Sequence, residues 1–150
     1  MQAPTIIKPE KLADYLEVIS KAVFESGMRW SVVEAKWDGF REAFQAFDPE
    51  FVANLTPDDV DRLAADTRII RNRRKIEATI HNANAILALD KRPGGFAKYL
   101  ASFDDFESAS AELRTQFKHF GVFGTYYFLY VVGRPVPPHE EYRAKLAAIK

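Results

Sequence analysis

Apolar residues recur at every third or fourth position along almost the whole chain, which limits the folds open to it. The segment "PEKLADYLEVISKAVFESG" shows the pattern, with one apolar face formed by Leu12, Leu16, Ile19, Val23 and Phe24. Runs in which apolar and polar residues alternate, as in half-buried strands, are absent from the sequence. We therefore expect an all-α protein, a compact orthogonal bundle of about eight short helices.

Start and stop signals divide this pattern into separate helices. Asp48–Pro49 and Thr56–Pro57 each place a capping side chain before a proline, which is typical of a helix start. Gly27 can end the first helix, Ser31 can cap the second, and Gly39 can divide it. Periodicity alone leaves "TYYFLYVV" as a helix or a strand, and its helical neighbours favour a helix. The closing segment "PPHEEYRAKLAAIK" is expected to form another helix.

The totals exclude several classes of protein. Acidic and basic residues number 21 each, so attraction to nucleic acid must come from local clusters. The absence of cysteine excludes disulfides and thiolate metal sites, and the three histidines lack metal-ligand spacing, so we expect no metal or cofactor. The N-terminus lacks the apolar region of a signal peptide, and the longest apolar run is well short of the roughly 20 residues that span a bilayer. We expect residues 1–150 to form one cytoplasmic domain without membrane contact.

The stretch "RIIRNRRK" concentrates positive charge. Five of its eight residues are basic: Arg68, Arg71, Arg73, Arg74 and Lys75. Such a cluster can neutralise the phosphates of nucleic acid, with binding that weakens as salt rises. The alternative is a solvated helix start whose cations pair with the aspartates at positions 58, 59, 61 and 66.

The stretch "FKHFGVFGTYYFLYVVGRPVP" places two glycines at the entrance to the most apolar segment. We expect Gly121 and Gly124 to bracket a tight hairpin that leads into a helix, whose backbone amides can bind a phosphate. Val122 lies between them, Lys118 adds a cation, and Thr125 can offer a hydroxyl group. The alternative is a joint whose glycines serve only the turn geometry. The arrangement resembles the helix–hairpin–helix of base-excision glycosylases, in which hairpin amides hold the DNA backbone.

The region from "SGMRW" to "HNANAIL" carries a denser set of matches to a known family. A glycine, an apolar residue and a tryptophan come first, then a lysine, an aromatic-rich "FDP" segment, and a pattern "DV..L..D..IIR...KI.A...NA". The matching residues are Gly27, Met28, Trp30, Lys36, Phe40, Phe44, Phe47, Asp48, Pro49, Asp59, Val60, Leu63, Asp66, Ile69, Ile70, Arg71, Lys75, Ile76, Ala78, Asn82 and Ala83. With "FGTYYFLYVVG", this part of the chain resembles the 3-methyladenine DNA glycosylase I family.

The resemblance implies a repair enzyme that hydrolyses the N-glycosidic bond of an alkylated purine in DNA. Its partner would be damaged double-stranded DNA, bound by a monomer in the cytoplasm at the nucleoid. Family members carry a Tyr-His pair, a "WG" dipeptide and part of a zinc site in a longer N-terminal segment, which this sequence does not show. At the other half of that zinc site, His139 matches the histidine and Arg143 replaces the cysteine, so we expect no structural zinc.

The family's functional carboxylate falls at Ala22, eight residues before Trp30. Glu25 lies three residues further on and hence on nearly the same helix face, so we expect it to be the catalytic carboxylate. The alternative for Glu25 is a solvent-facing or capping group near a helix end. Glu140 and Glu141 match the approximate place of an essential aspartate in other helix–hairpin–helix glycosylases. First-turn charges of a helix are the more usual explanation for them.

A glycosylase must hold an extruded base against aromatic surface. Trp30 is the best candidate wall, and Tyr126 and Tyr127 can line the same pocket, whereas the helical phase of Trp37 favours the core. Each of these aromatics could instead be structural.

Two alternatives to a glycosylase remain open. A non-catalytic DNA-binding module would use the same hairpin and the basic stretch. A nucleobase-binding or protein-interaction domain would retain only the fold. The enzyme hypothesis predicts an aromatic pocket with a carboxylate inside it.

Overall fold

The computed structural model describes residues 4–138 and residue 140, and helices are the only regular secondary structure among these residues. The helices in chain order are α1 (Leu12–Glu25), α2 (Trp30–Ala35), α3 (Trp37–Ala43), α4 (Pro49–Ala53), α5 (Pro57–Leu63), α6 (Arg73–Asp90), α7 (Gly95–Ala101), α8 (Phe106–Gln116) and α9 (Val122–Val131), with a 3₁₀ turn at Gln45–Phe47. The prediction of an all-α fold is confirmed. The segment "TYYFLYVV" lies within or directly after α9, so it is helical as expected. The predicted C-terminal helix lies outside the described residues.

Capping side chains start the helices largely as the sequence predicts. The Thr56 hydroxyl accepts from the amide of Asp59 at 3.2 Å, and the Asp59 carboxylate accepts from the amide of Thr56 at 2.7 Å. Asp48 accepts from the amide of Glu50 at the start of α4. Ser31 is not a cap, because α2 already begins at Trp30.

Gly39 does not divide the second helical segment. The break between α2 and α3 lies at Lys36, and Gly39 is inside α3. A Cβ atom on Gly39 would lie 2.3 Å from the carbonyl oxygen of Arg68. The glycine therefore allows the loop before α6 to lie directly against α3.

Helix α1 is central to the bundle and packs against α6, α9 and α4. Its residues Leu16, Ile19, Val23 and Phe24 are fully buried, as their spacing on one face predicts. Rings from α3 and the 3₁₀ turn stack beside Phe24 to form an aromatic layer that consists of Trp37, Phe40, Phe44 and Phe47. Trp37 is therefore a core residue, as its helical phase predicts.

The turn between α8 and α9 occupies residues 117–121. It therefore lies before the Gly121–Gly124 segment in which the hairpin is predicted. Gly121 caps α9, while Gly124 lies inside its first turn, so the two glycines do not bracket the hairpin. His119 turns the chain with a φ of 54°. Buried Asn82 of α6 holds the turn, since its side chain accepts from the Lys118 amide at 2.8 Å and donates to the Lys118 carbonyl at 3.1 Å.

No helix in the described part of the chain is long and apolar enough to cross a membrane.

Candidate functional site

A cleft of about 650 Å³ lies between the C-terminal end of α1 and the N-terminal end of α9. We call it the hairpin cleft. Its aromatic walls are Trp30, Phe123 and Tyr127, with ring centroids 5.4 Å apart for Trp30 and Tyr127 and 6.0 Å apart for Trp30 and Phe123. The other lining residues are Ala22, Glu25, Ser26, Gly27, Met28, Arg29, His119, Gly121, Val122 and Gly124. The volume and the walls suit a planar, partly apolar ligand.

A second cleft, of about 710 Å³, lies on the other side of the same residues. It shares Glu25, Trp30 and Tyr127 with the hairpin cleft, so these three side chains separate the two spaces. Six of the fifteen residues that line the second cleft are charged. One of them, Glu17, accepts from the Trp37 indole at 2.7 Å and from Arg41 at 2.6 Å. The Glu17–Arg41 and Lys21–Glu34 pairs of this cleft are thus already formed within the protein.

Glu25 is the carboxyl group of the hairpin cleft. Its side chain is 5% exposed, and its Oε1 atom has no hydrogen-bond partner among the described residues. Burial raises the pKa of Glu25 from 4.5 to about 7, Lys21 opposes this rise, and Glu34 adds to it. Lys21 forms an ion pair with Glu34 at 2.5 Å, which leaves its charge shared. Glu25 is therefore a carboxyl group that can gain or lose a proton near neutral pH.

Ala22 lines the hairpin cleft one helical turn before Glu25. The structure thus brings Glu25 into the same space as the position at which the family resemblance places its carboxylate. The solvent-facing alternative for Glu25 does not hold, because the side chain is buried.

Tyr127 is buried beside Glu25, and both burial and the neighbouring acids raise the pKa of its phenol. The phenol is therefore uncharged. Tyr126, in contrast, does not line either cleft. Its hydroxyl donates to the Pro137 carbonyl at 2.8 Å and its ring stacks on Tyr130, so the base-binding prediction for Tyr126 is wrong. Adjacent residues of α9 point to different sides, which is the physical reason.

The first turn of α9 lies beside the cleft, and its N-cap residue Gly121 provides no side-chain cap. Lys118 is exposed one turn away. Thr125 cannot join this group, because its amide donates to the Gly121 carbonyl and its hydroxyl is paired with Ser110 at 2.6 Å. The prediction that Thr125 offers a hydroxyl to phosphate is wrong, since the side chain is fully buried between α8 and α9.

The basic stretch is divided by the fold. Arg71 and Arg74 are exposed and form no ion pair with any described residue. Arg73 pairs with Asp61 at 2.7 Å, and Arg68 pairs with Asp66 at 2.7 Å. Pairing with upstream aspartates therefore accounts for part of the stretch and leaves Arg71 and Arg74 unpaired within the described chain.

Lys75 is not a surface cation, and the prediction that it contacts the DNA backbone is wrong. It is 6% exposed, and its ammonium group donates to the carbonyls of Phe24 at 3.0 Å and Ser26 at 2.5 Å. Its position three residues into α6 turns it away from the exposed side of the helix. These hydrogen bonds join the first turn of α6 to the end of α1 that lines the hairpin cleft.

Sequence reasoning missed Phe123, Arg29 and His119, which all line the cleft. Only their proximity to the glycines and to Trp30 in the sequence could have indicated them. Glu140 is exposed, while Glu141, His139 and Arg143 lie outside the described residues. Within residues 4–138 and 140, no group of three histidine, cysteine or acidic side chains could hold a metal ion.

The site thus combines a helical hairpin with an aromatic cleft and a buried carboxyl group beside it. The methyladenine glycosylase family model matches residues 9–140, and the chain belongs to this family. The family resemblance that the sequence suggested is thereby confirmed.

Relatives and solved structures agree with this assignment. The chain is similar to a DNA-3-methyladenine glycosylase of Haemophilus influenzae, at 38% identity over 79 residues that cover 53% of this chain and 43% of that protein. It is also similar to DNA-3-methyladenine glycosylase 1 of Escherichia coli, at 38% identity over 95 residues, or 58% and 51% of the two chains. The matched region thus spans about half the length of these relatives.

The fold resembles that of 3-methyladenine DNA glycosylase I from Staphylococcus aureus, a protein whose solved structure describes how it recognises 3-methyladenine. The TM-score is 0.76 at 25% identity, over 85% of this chain and 79% of that one.

Proposed function

We propose that this protein is a DNA glycosylase that hydrolyses the N-glycosidic bond of an alkylated purine, similar to 3-methyladenine, in DNA. The observation that carries the proposal is the buried Glu25 carboxyl group between Trp30 and Tyr127 in the hairpin cleft. The relatives named as DNA-3-methyladenine glycosylases support it.

The proposed reaction starts with an extruded base in the hairpin cleft. Trp30 and Phe123 provide aromatic surface for the base, and Tyr127 closes the inner wall. A purine alkylated at N3 carries a positive charge, so it leaves with the bonding electron pair without first gaining a proton. Glu25 in its carboxylate form stabilises both this cation and the sugar cation that develops as the bond breaks. Water then adds to C1′ of the sugar and loses a proton to solvent.

The proposed DNA surface surrounds the mouth of this cleft. The N-terminal turn of α9, where the helix dipole favours an anion, and the Lys118 side chain would hold one phosphate. Arg71 and Arg74, with Arg73 partly neutralised by Asp61, would contact the backbone beyond the end of α1. We propose damaged double-stranded DNA as the partner of a monomeric, single-domain protein that uses no metal or cofactor and works at the nucleoid in the cytoplasm.

Base release from methylated DNA tests the proposal. Wild-type protein should release 3-methyladenine above the spontaneous rate, and Glu25→Gln should be roughly 10-fold slower because it lacks the carboxylate charge. Glu77→Gln, a matched change at an exposed site on α6, should behave as wild type. No release by the wild type above the no-protein control would contradict the proposal.

A non-catalytic DNA-binding module is the second candidate, and Ala22 at the family's carboxylate position favours it. Salt-sensitive duplex binding by a protein that releases no base would select this candidate over the enzyme.

A further inference from the structure

The Glu25 carboxyl group has surroundings that suit a proton donor better than a permanent anion. It forms no ion pair with any described residue, and its Oε1 atom has no hydrogen-bond partner among them. Lys21 of its own helix is paired with Glu34 of α2, and the buried Lys75 ammonium of α6 is held by two carbonyls. From α9, Tyr127 contributes an uncharged phenol. Arg29, just before α2, and His119, in the turn before α9, also line the cleft.

A purine that is already cationic does not need a proton donor in order to leave. An uncharged purine does, because its anion is a poor leaving group and a ring nitrogen must be protonated as the bond breaks. A buried, unpaired carboxyl group can supply the proton that such a reaction requires, whereas a cationic base uses the same group only as an anion.

We propose, resting on the glycosylase function above, that the hairpin cleft also accepts an uncharged purine lesion and that Glu25 donates its proton to N3 or N7 of that base. The C1′–N9 electron pair moves to N9, and the base leaves as a neutral tautomer. Glu25 becomes a carboxylate beside the sugar cation. Water adds to C1′, and the proton that it loses returns to Glu25, which restores the starting state.

Selection against normal purines would come from the cost of extrusion, which is lowest for a mispaired or damaged base. Hypoxanthine opposite thymine is a suitable probe, because it is uncharged, mispaired and has free lone pairs at N3 and N7.

The experiment compares single-turnover release of hypoxanthine and of 3-methyladenine from matched duplexes between about pH 6 and 8.5. The protein is kept below saturation, so that the rates follow kcat/KM and report the pKa of the free protein. Because the pKa of Glu25 is about 7, hypoxanthine release should fall by about 10-fold per pH unit above that value. Release of 3-methyladenine should instead rise through the same range as the carboxylate forms.

Glu25→Gln should lower hypoxanthine release by at least about 100-fold, because an amide cannot transfer its proton, while 3-methyladenine release falls far less. Glu77→Gln should leave both rates unchanged, and equal thermal unfolding of the two variants checks that they are folded.

Release of 3-methyladenine without hypoxanthine would overturn this inference and leave the proposed function intact. Parallel pH profiles for the two bases, or equal losses in Glu25→Gln, would overturn the role of Glu25 as proton donor. Release of neither base would overturn both proposals.

Discussion

At the residue scale, Glu25 places the requirements of stability and of chemistry in opposition. A carboxylate that is buried without a hydrogen-bond donor is less stable than the same group in water. An alanine or glutamine at this position would remove that cost, and both would remove the titratable group from the cleft. The retained carboxyl group is thus understandable as part of a site and has no evident structural benefit.

The cost of Glu25 predicts a pH-dependent stability difference. The folded-state pKa is raised from 4.5 to about 7, so the folded protein binds the proton more tightly than the unfolded chain. The Glu25 contribution therefore lowers the free energy of unfolding as pH rises from 4.5 to about 7. Glu25→Gln should be more stable than wild type by about 1–3 kcal/mol near pH 8 and by much less near pH 5.

Urea unfolding at the two pH values measures this difference, with Glu77→Gln as the exposed control. An equal difference in the free energy of unfolding at both pH values would show that the pKa of Glu25 is not raised in the folded protein.

At the element scale, α6 holds both sides of the cleft in place. Its N-terminal end contacts the last turn of α1 through Lys75, and its middle holds the hairpin through Asn82. Lys75 lies in the first turn of α6, where the helix dipole disfavours a cation, and burial lowers its pKa. The compensation comes from α1, whose C-terminal carbonyls accept from the ammonium group on both sides of Glu25.

Lys75→Met tests this role, since it keeps the length of the side chain and removes the donor. It should lower the free energy of unfolding by about 1–3 kcal/mol, because the two carbonyls lose a partner. Lys91→Met at the exposed end of the same helix should change stability by less than about 0.5 kcal/mol. The salt dependence of DNA binding should be unchanged in Lys75→Met, and a reduced dependence would mean that Lys75 reaches the DNA after all.

Asn82→Ala tests the other contact of α6. Both hydrogen bonds to the Lys118 backbone are lost in a buried site, so unfolding should cost about 2–3 kcal/mol less. Amides of residues 117–121 should exchange with solvent faster, as measured by hydrogen exchange. Asn84→Ala is the matched control, because Asn84 is exposed on the same helix and bonds only within it. Unchanged exchange in the hairpin would show that Asn82 does not hold the turn.

At the scale of the whole molecule, the numbers of acidic and basic residues are equal, so the net charge does not attract DNA. Any electrostatic attraction must come from a local group of cations. Upstream aspartates neutralise Arg68 and Arg73, whereas Arg71, Arg74 and Lys118 are exposed and form no ion pair with any described residue. Binding of duplex DNA should therefore depend on salt through only a few phosphate contacts.

Arg71→Ala and Lys118→Ala should each weaken duplex binding and reduce the slope of log K against log salt by about 1. Lys98→Ala, an exposed change on α7, should leave the slope unaltered. Fluorescence anisotropy over a salt series measures the slopes. Equal slopes in wild type and in both surface variants would exclude this face as the DNA surface.

The sequence by itself determined the helical class, the capped starts of α4 and α5, and the presence of Glu25 one turn from Ala22. These features depend on interactions within a few residues, through caps and helical periodicity, and such interactions are legible in the chain. The family resemblance also came from the sequence, since it depends on residue identities.

Only the tertiary structure decided which polar groups are available. Lys75 finds its partner at Phe24, 51 residues earlier in the chain, and Thr125 pairs with Ser110, 15 residues earlier. Tyr126 and Tyr127 are neighbours in sequence but face different surroundings, and burial is the largest cause of the raised pKa of Glu25. These outcomes depend on how distant helices pack together, and no local pattern specifies that packing.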